Sequence, residues 1–194
     1  MQVSSISRAA LAAILSGALA CSADRIQSPS EPALSPGPAS FGAINENSPA
    51  TYRWNVGFAV GDVAQASNGD RITLRGTGTL GIHPESETGG GTFTSAAGVM
   101  GSGTWMVTEL LSFQAYGPGT LPNLPPGSSS GRALFRVQLT PTGMPSVEGI
   151  LDVECDIPGS TVPGGIHEGI HLVVPGVDNF NQSVSGPTLF IKTS

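Results

Sequence analysis

Ile166-His167-Glu168-Gly169-Ile170-His171-Leu172-Val173-Val174 admits two readings, and the choice between them decides the fold. Residues 167–171 spell H-E-x-x-H, the zinc metalloprotease pattern. That pattern works only on a helix, where two histidines four apart share a face and reach one metal about 2 Å away while the glutamate activates water. The surroundings favour extended backbone instead. A glycine stands inside the motif, Pro163-Gly164-Gly165 and Pro175-Gly176 bracket it, and it runs into the β-branched pair Val173-Val174. On a strand the two imidazoles stand roughly 13 Å apart along the chain and cannot share a zinc. Val177 occupies the position where the longer protease pattern carries its third histidine. The expectation is a strand over Ile166–Val174, with no metal and no cofactor, and at most a single-histidine site made with His83.

Outward from this stretch the same period of two recurs. Tyr52, Trp54, Val56, Phe58 and Val60 alternate against Thr51, Arg53, Asn55 and Gly57. Ser67-Asn68-Gly69-Asp70 is a hairpin-type turn, after which Arg71–Ile82 alternates again, with Gly76 and Gly78 on its apolar face as marks of close packing or curvature. Glu85 to Gly91 reads as a loop, Thr92–Ser95 as a short strand, and Gly103–Tyr116 as a long one with Trp105, Val107, Leu111 and Phe113 on one face. Gly117 to Gly131 holds four prolines and a serine run, the composition of a long loop. Ala133–Leu139, Val147–Ile157 and Val184–Lys192 complete the set, Pro187 suggesting an edge or bulge in the last. With no helical period beyond the N-terminus, about seven or eight antiparallel strands must bury one face each by closing or stacking. The expected fold is an all-β antiparallel small barrel, with a β-sandwich as the alternative.

Two other motifs fail the context their chemistry needs. Gly127-Ser128-Ser129-Ser130-Gly131 spells G-x-S-x-G, but a nucleophile elbow needs a strand-to-helix turn, and this run sits in a proline-rich segment with no helix behind it. Gly76-Thr77-Gly78-Thr79-Leu80-Gly81 spells G-x-G-x-x-G, which cradles a dinucleotide only where it opens a helix. In a chain with 27 glycines such matches arise by chance.

The N-terminus carries a different kind of signal. Met1–Ala20 has a short start bearing Arg8, an apolar stretch Ala9–Leu15 and small residues before Cys21, and reads as a signal peptide. Ala18-Leu19-Ala20-Cys21 resembles the lipobox of bacterial lipoproteins, whose cysteine is lipidated, and residues 21–45 form a Pro/Ser-rich tether ahead of a single β domain over 46–194. The expectation is a cell-envelope protein anchored to a membrane through Cys21, with a secreted or periplasmic form as the alternative. Cys155, the other of the two cysteines, reads as a buried small hydrophobe, so no disulfide framework is specified. Eight basic against fourteen acidic residues, with Lys192 the only lysine, argue against nucleic acid as a partner.

Glu109 falls at an inward position of Trp105–Phe113, where a carboxylate must be paired or carry a raised pKa, and it is a candidate ligand-site residue with His167 and His171. The ordinary reading of Glu109 is a bulge or an Arg-paired residue. Glu148, Asp152, Glu154 and Asp156 form an acidic row whose alternate carboxylates stand roughly 7 Å apart, too wide to share a calcium, and read as a solvated face.

Gly103-Thr104-Trp105 to Phe113, Gly149-Ile150-Leu151-Asp152-Val153-Glu154-Cys155 and Glu168-Gly169-Ile170 together resemble small exported β-rich proteins of soil bacteria. The resemblance implies fold and export and brings no activity. The strand pattern is also similar to that of lipocalin-like and allene-oxide-cyclase-like barrels, and fold likeness alone assigns no function. The functional expectation is non-catalytic binding of a small apolar ligand or an envelope protein. The alternative is a small β-barrel enzyme of cyclase or isomerase type using a lumen Glu or His.

Overall fold

The computed structural model describes residues 49–58, 60–95, 100–164 and 167–194. Cys21, the signal segment and the tether lie outside them. Among the described residues there is no helix and all strand pairing is antiparallel, so the all-β antiparallel class holds.

Eleven strands form, more than the alternation suggested, because several runs are cut by turns. β1 is Thr51–Val56, with Tyr52, Trp54 and Val56 buried. It ends at Gly57, whose φ of 61° turns the chain and whose missing Cβ would stand 2.5 Å from the Asp62 nitrogen. Phe58 and Val60, expected inside, are therefore out in solvent at 54% and 69% exposure. The chain re-enters as β2 (Asp62–Gln65), turns at Asn68-Gly69 and returns as β3 (Arg71–Gly81). β4 runs Ser86–Ser95, so most of the expected 85–91 loop is strand. β5 (Ser102–Gly117), β6 (Ser128–Pro141) and β7 (Val147–Cys155) follow as a meander. Ser128–Gly131 belongs to β6 and is not loop. β8 (Gly169–Val174) starts three residues later than expected, β9 is Asp178–Phe180, and Pro187 separates β10 (Gln182–Ser185) from β11 (Thr188–Lys192).

Branching at β3 and β6 shapes the sheet. β3 carries β4 along one edge and, along the other, first β2 and then β1. β6 pairs β5 on one side, with β11 and β7 sharing the other. Hydrogen bonding thus runs round a ring of six strands, β1–β3–β4–β5–β6–β11, completed by a two-residue ladder, Phe190↔Ser129 and Ile191↔Ser128. Two wings leave the ring: β2–β10 from β3, and β7–β8–β9 from β6.

Aromatic side chains fill the ring. Trp54 of β1 meets Trp105 of β5 in a stack with centroids 5.7 Å apart, and Phe135 of β6 tilts against Trp54 at 5.5 Å. Phe113 and Phe190 extend the cluster, edge to face at 5.1 Å. Gly76 and Gly78 make this packing possible. A Cβ on Gly78 would run into the Trp54 ring and one on Gly76 into the Trp105 ring, and Gly89 of β4 faces Trp54 in the same way. The G-x-G-x-x-G run is the floor beneath two indoles. Trp105 Nε1 donates to the Arg75 carbonyl at 3.2 Å.

Candidate functional site

Glu109 does not point inward. β-Bulges between Val107 and Glu109 and between Leu110 and Ser112 shift the phase of β5, so Leu110 takes the buried position and Leu111 faces out. Glu109 is on the exposed side, its Oε2 accepting from Arg136 Nε at 2.7 Å. The arginine partner weighed for it is the one it has.

The H-E-x-x-H residues are extended from Gly169 onward, and each serves a separate purpose. His167 is exposed ahead of β8, and its backbone amide donates to Glu154 Oε2 at 3.0 Å. His171 lies half-buried on β8 opposite Asp152. His83 stands exposed in the β3–β4 turn. Ser128–Ser130 make no elbow: the Ser130 hydroxyl is shared with Ser160 at 2.7 Å and accepts from the Ile157 amide at 2.7 Å.

Two polar clusters emerge that the alternation did not reveal. The first lies on the face of β6, β7 and β8 opposite the core side chains Leu151 and Val153. Asp152 and Glu154, expected in solvent, are only 8% and 3% exposed. The Arg132 guanidinium lies across them, its Nε 3.0 Å from Asp152 Oδ1 and 3.2 Å from Glu154 Oε1. The ligating atoms of Asp152, Glu154 and His171 all lie within 4.8 Å of one another, closer than strand spacing implied. Burial raises the nearby Tyr116 hydroxyl, with Arg132 lowering it and Glu154 and Asp152 adding to the rise. Three such donors suit a divalent ion in principle. In this arrangement the guanidinium already supplies the positive charge, and an ion would have to displace it.

The second cluster joins the two wings. Glu168 accepts from the Asp156 amide at 2.6 Å, the Thr188 amide at 2.6 Å and the Thr188 hydroxyl at 2.9 Å, tying the end of β7 and the start of β11 to the approach of β8. Burial raises its carboxyl against the pull of those three bonds. Across from it, Asp62 at the start of β2 has no exposed surface, and neither carboxylate oxygen has a hydrogen-bond partner. Burial first, and then the Glu168 charge, push its pKa to about 7, opposed only by the neighbouring Val63 amide.

No family model, curated protein or solved structure matches this chain. The chemistry must therefore be judged on the clusters themselves. Cys155 is buried and its thiol is pushed up to about 12, chiefly by desolvation, so it stays protonated and unreactive. Among the described residues no serine or cysteine is set against a histidine base. Carboxylates are what the structure concentrates, and they hold strands, an arginine and backbone amides.

Asp62 could have been found in the sequence by counting from the other side. Gly57 resets the alternation that starts at Tyr52, whereas counting back from Ala66 and Ala64 places Asp62 on the inner face. Arg132 over Asp152 and Glu154 needed the β6–β7 register, which pairs Arg132 with Glu154 and Leu134 with Asp152.

Proposed function

We propose that this chain is an exported cell-envelope domain, lipid-anchored through Cys21, that binds a protein partner through its outer surface and catalyses no reaction. The observation that carries this reading is the location of the polar groups. Trp54, Trp105 and Phe135 occupy the ring interior, where a barrel enzyme or a carrier of small apolar molecules would keep its cavity, while Glu109, His167 and His171 stand outside it. A filled interior favours a protein partner over a small apolar ligand. The anchor and tether rest on Ala18–Cys21 and the Pro/Ser-rich segment, which suit a domain displayed at a membrane surface.

The enzyme alternative has one observation on its side, Asp62, whose carboxyl titrates near neutrality as a general acid or base would. With none of its surface exposed, it is closed to a substrate-sized molecule.

Metabolic labelling with a radioactive fatty acid in a bacterial host tests the anchor. Label is expected on the full chain and not on Cys21→Ala, and an unlabelled wild type removes the anchor. Native mass spectrometry of the detergent-extracted protein tests the filled interior. The expected mass is that of the lipidated chain alone, and a stoichiometric small molecule carried along would restore the carrier reading.

A further inference from the structure

β8 pairs with β7 along one edge, but on the other it pairs with β9 only from Leu172 to Val174. Gly169 to His171 are left without a ladder partner on that side, where β2 and β10 pack against β8. Among the described residues the two wings therefore meet along a seam with no backbone hydrogen-bond ladder, and a side-chain hydrogen bond crosses it. Ser183 of β10 donates its hydroxyl to the Glu168 carbonyl at 2.8 Å.

Asp62 is wedged into this seam. Gly169, at φ 123°, leaves the space: a Cβ there would overlap Ser183 Oγ and lie 3.3 Å from Asp62 Oδ1, so the hydroxyl and the carboxylate both border the room that the missing side chain leaves. Gly186 closes from above, where a Cβ would stand 2.8 Å from the Asp62 carboxyl carbon. Neither Asp62 oxygen has a hydrogen bond of good geometry, the adjacent Val63 amide being the one donor that acts on them, the residue has no exposed surface, and the charge acting on it is another carboxylate, Glu168. An unpaired buried carboxylate beside a second one is among the costlier arrangements a fold can hold, and it is relieved by a proton or by a cation.

We propose that Asp62 and Glu168, with the Ser183 hydroxyl, clasp a calcium ion across the seam between the β2–β10 wing and β8. The donors are all oxygen: two carboxylates, a hydroxyl and the Glu168 carbonyl. That is hard-cation chemistry, and calcium tolerates the irregular geometry of groups drawn from three separate segments. Soft metals are disfavoured by this all-oxygen set. The second observation beyond the acidic pair is the doubly unpartnered, fully buried Asp62 side chain aimed into the site. The proposal is independent of what the outer surface binds.

The test is calcium titration of the full chain at pH 8 after chelator treatment, with magnesium as the comparison. One calcium per chain is expected by equilibrium dialysis, with a Kd of about 0.1–1 mM, the range of extracellular modules. At about 10 mM calcium the folding equilibrium should then shift by roughly 10- to 100-fold, read as a rise in Tm. The rise should be lost in Asp62→Asn and weakened in Ser183→Ala, and kept in His171→Ala, which perturbs only the Arg132 cluster. A wild type that binds no calcium by dialysis at 10 mM overturns the proposal whatever the variants do, leaving a shared proton as the resolution. Loss of the response in His171→Ala with its retention in Asp62→Asn overturns it equally, by moving the ion to the other cluster.

Discussion

Asp62 is the residue at which burial and charge conflict most. Its folded-state pKa of about 7 lies above the ordinary 3.8, so the folded form keeps a proton that the unfolded chain has released. In chelator, the carboxyl therefore costs the fold little below about pH 4, costs more as pH rises toward 7, and levels off above it. Each unit is worth about 1.4 kcal/mol, so a few kcal/mol are at stake. Glu168, raised by the same burial, adds to the loss in the same direction. Urea unfolding from pH 4 to 8 should show stability falling across this window, with a shallower fall in Asp62→Asn. An identical slope in the two proteins would mean that water reaches the carboxyl. At this scale the sequence was legible where alternation ran unbroken, as at Trp54, Trp105 and Phe135. It misled at Asp62, where one glycine turn resets the phase, whereas Glu109 follows the reading that gave it a bulge and an arginine partner.

Between elements, the β3–β4 hairpin shows how composition can conceal a strand. Ser86 to Gly91 contains three consecutive glycines, a pattern that weakens strand propensity and that reads as a loop. Its glycines are needed because β4 and β3 run beneath Trp54 and Trp105, and only backbone fits under the rings: Gly78 pairs with Trp54 in the β1–β3 register and with Gly89 in the β3–β4 register. Local propensity is overridden by the packing of residues far along the chain. Gly78→Ala should therefore cost about 1–3 kcal/mol, the usual range for overpacking, and should lower the near-ultraviolet circular dichroism of the indole stack. Gly143→Ala is the contrasting control. Its φ of 76° carries conformational strain but its Cβ would meet nothing, so the tryptophan signal should stay unchanged. A Gly78→Ala protein with wild-type stability and signal would show that the indoles have room to move. The Arg132 cluster teaches the same lesson for charge: Asp152 and Glu154 looked solvated because their alternation is that of an exposed face, and only neighbouring strands reveal the cover.

For the whole molecule, the decisive strand is β11, the last in the chain. Among the described strands it alone connects β1 to β6, and with it the ring closes, β1 pairing with a strand more than a hundred residues further along the chain. Thr188, Leu189 and Phe190 are buried, Thr188 also satisfies Glu168 and the Glu154 carbonyl, and Phe190 supports Phe113. Removing residues 188–194 would strip the hydrogen bonds from one edge each of β1 and β6, expose the aromatic cluster and leave Glu168 with fewer donors. Losing buried aromatic and aliphatic groups costs several kcal/mol by itself, comparable to the total stability of an ordinary domain, about 5–15 kcal/mol. The truncated chain should therefore lose its cooperative urea transition and near-ultraviolet signal while keeping strand content in the far ultraviolet. Adding a synthetic peptide of residues 186–194 should restore the transition in a concentration-dependent way, because the missing strand can return as a separate chain between two prepared edges. A truncated protein that still melts cooperatively at near wild-type stability would show that β1 and β6 hold their places without β11, and that the wings carry the fold.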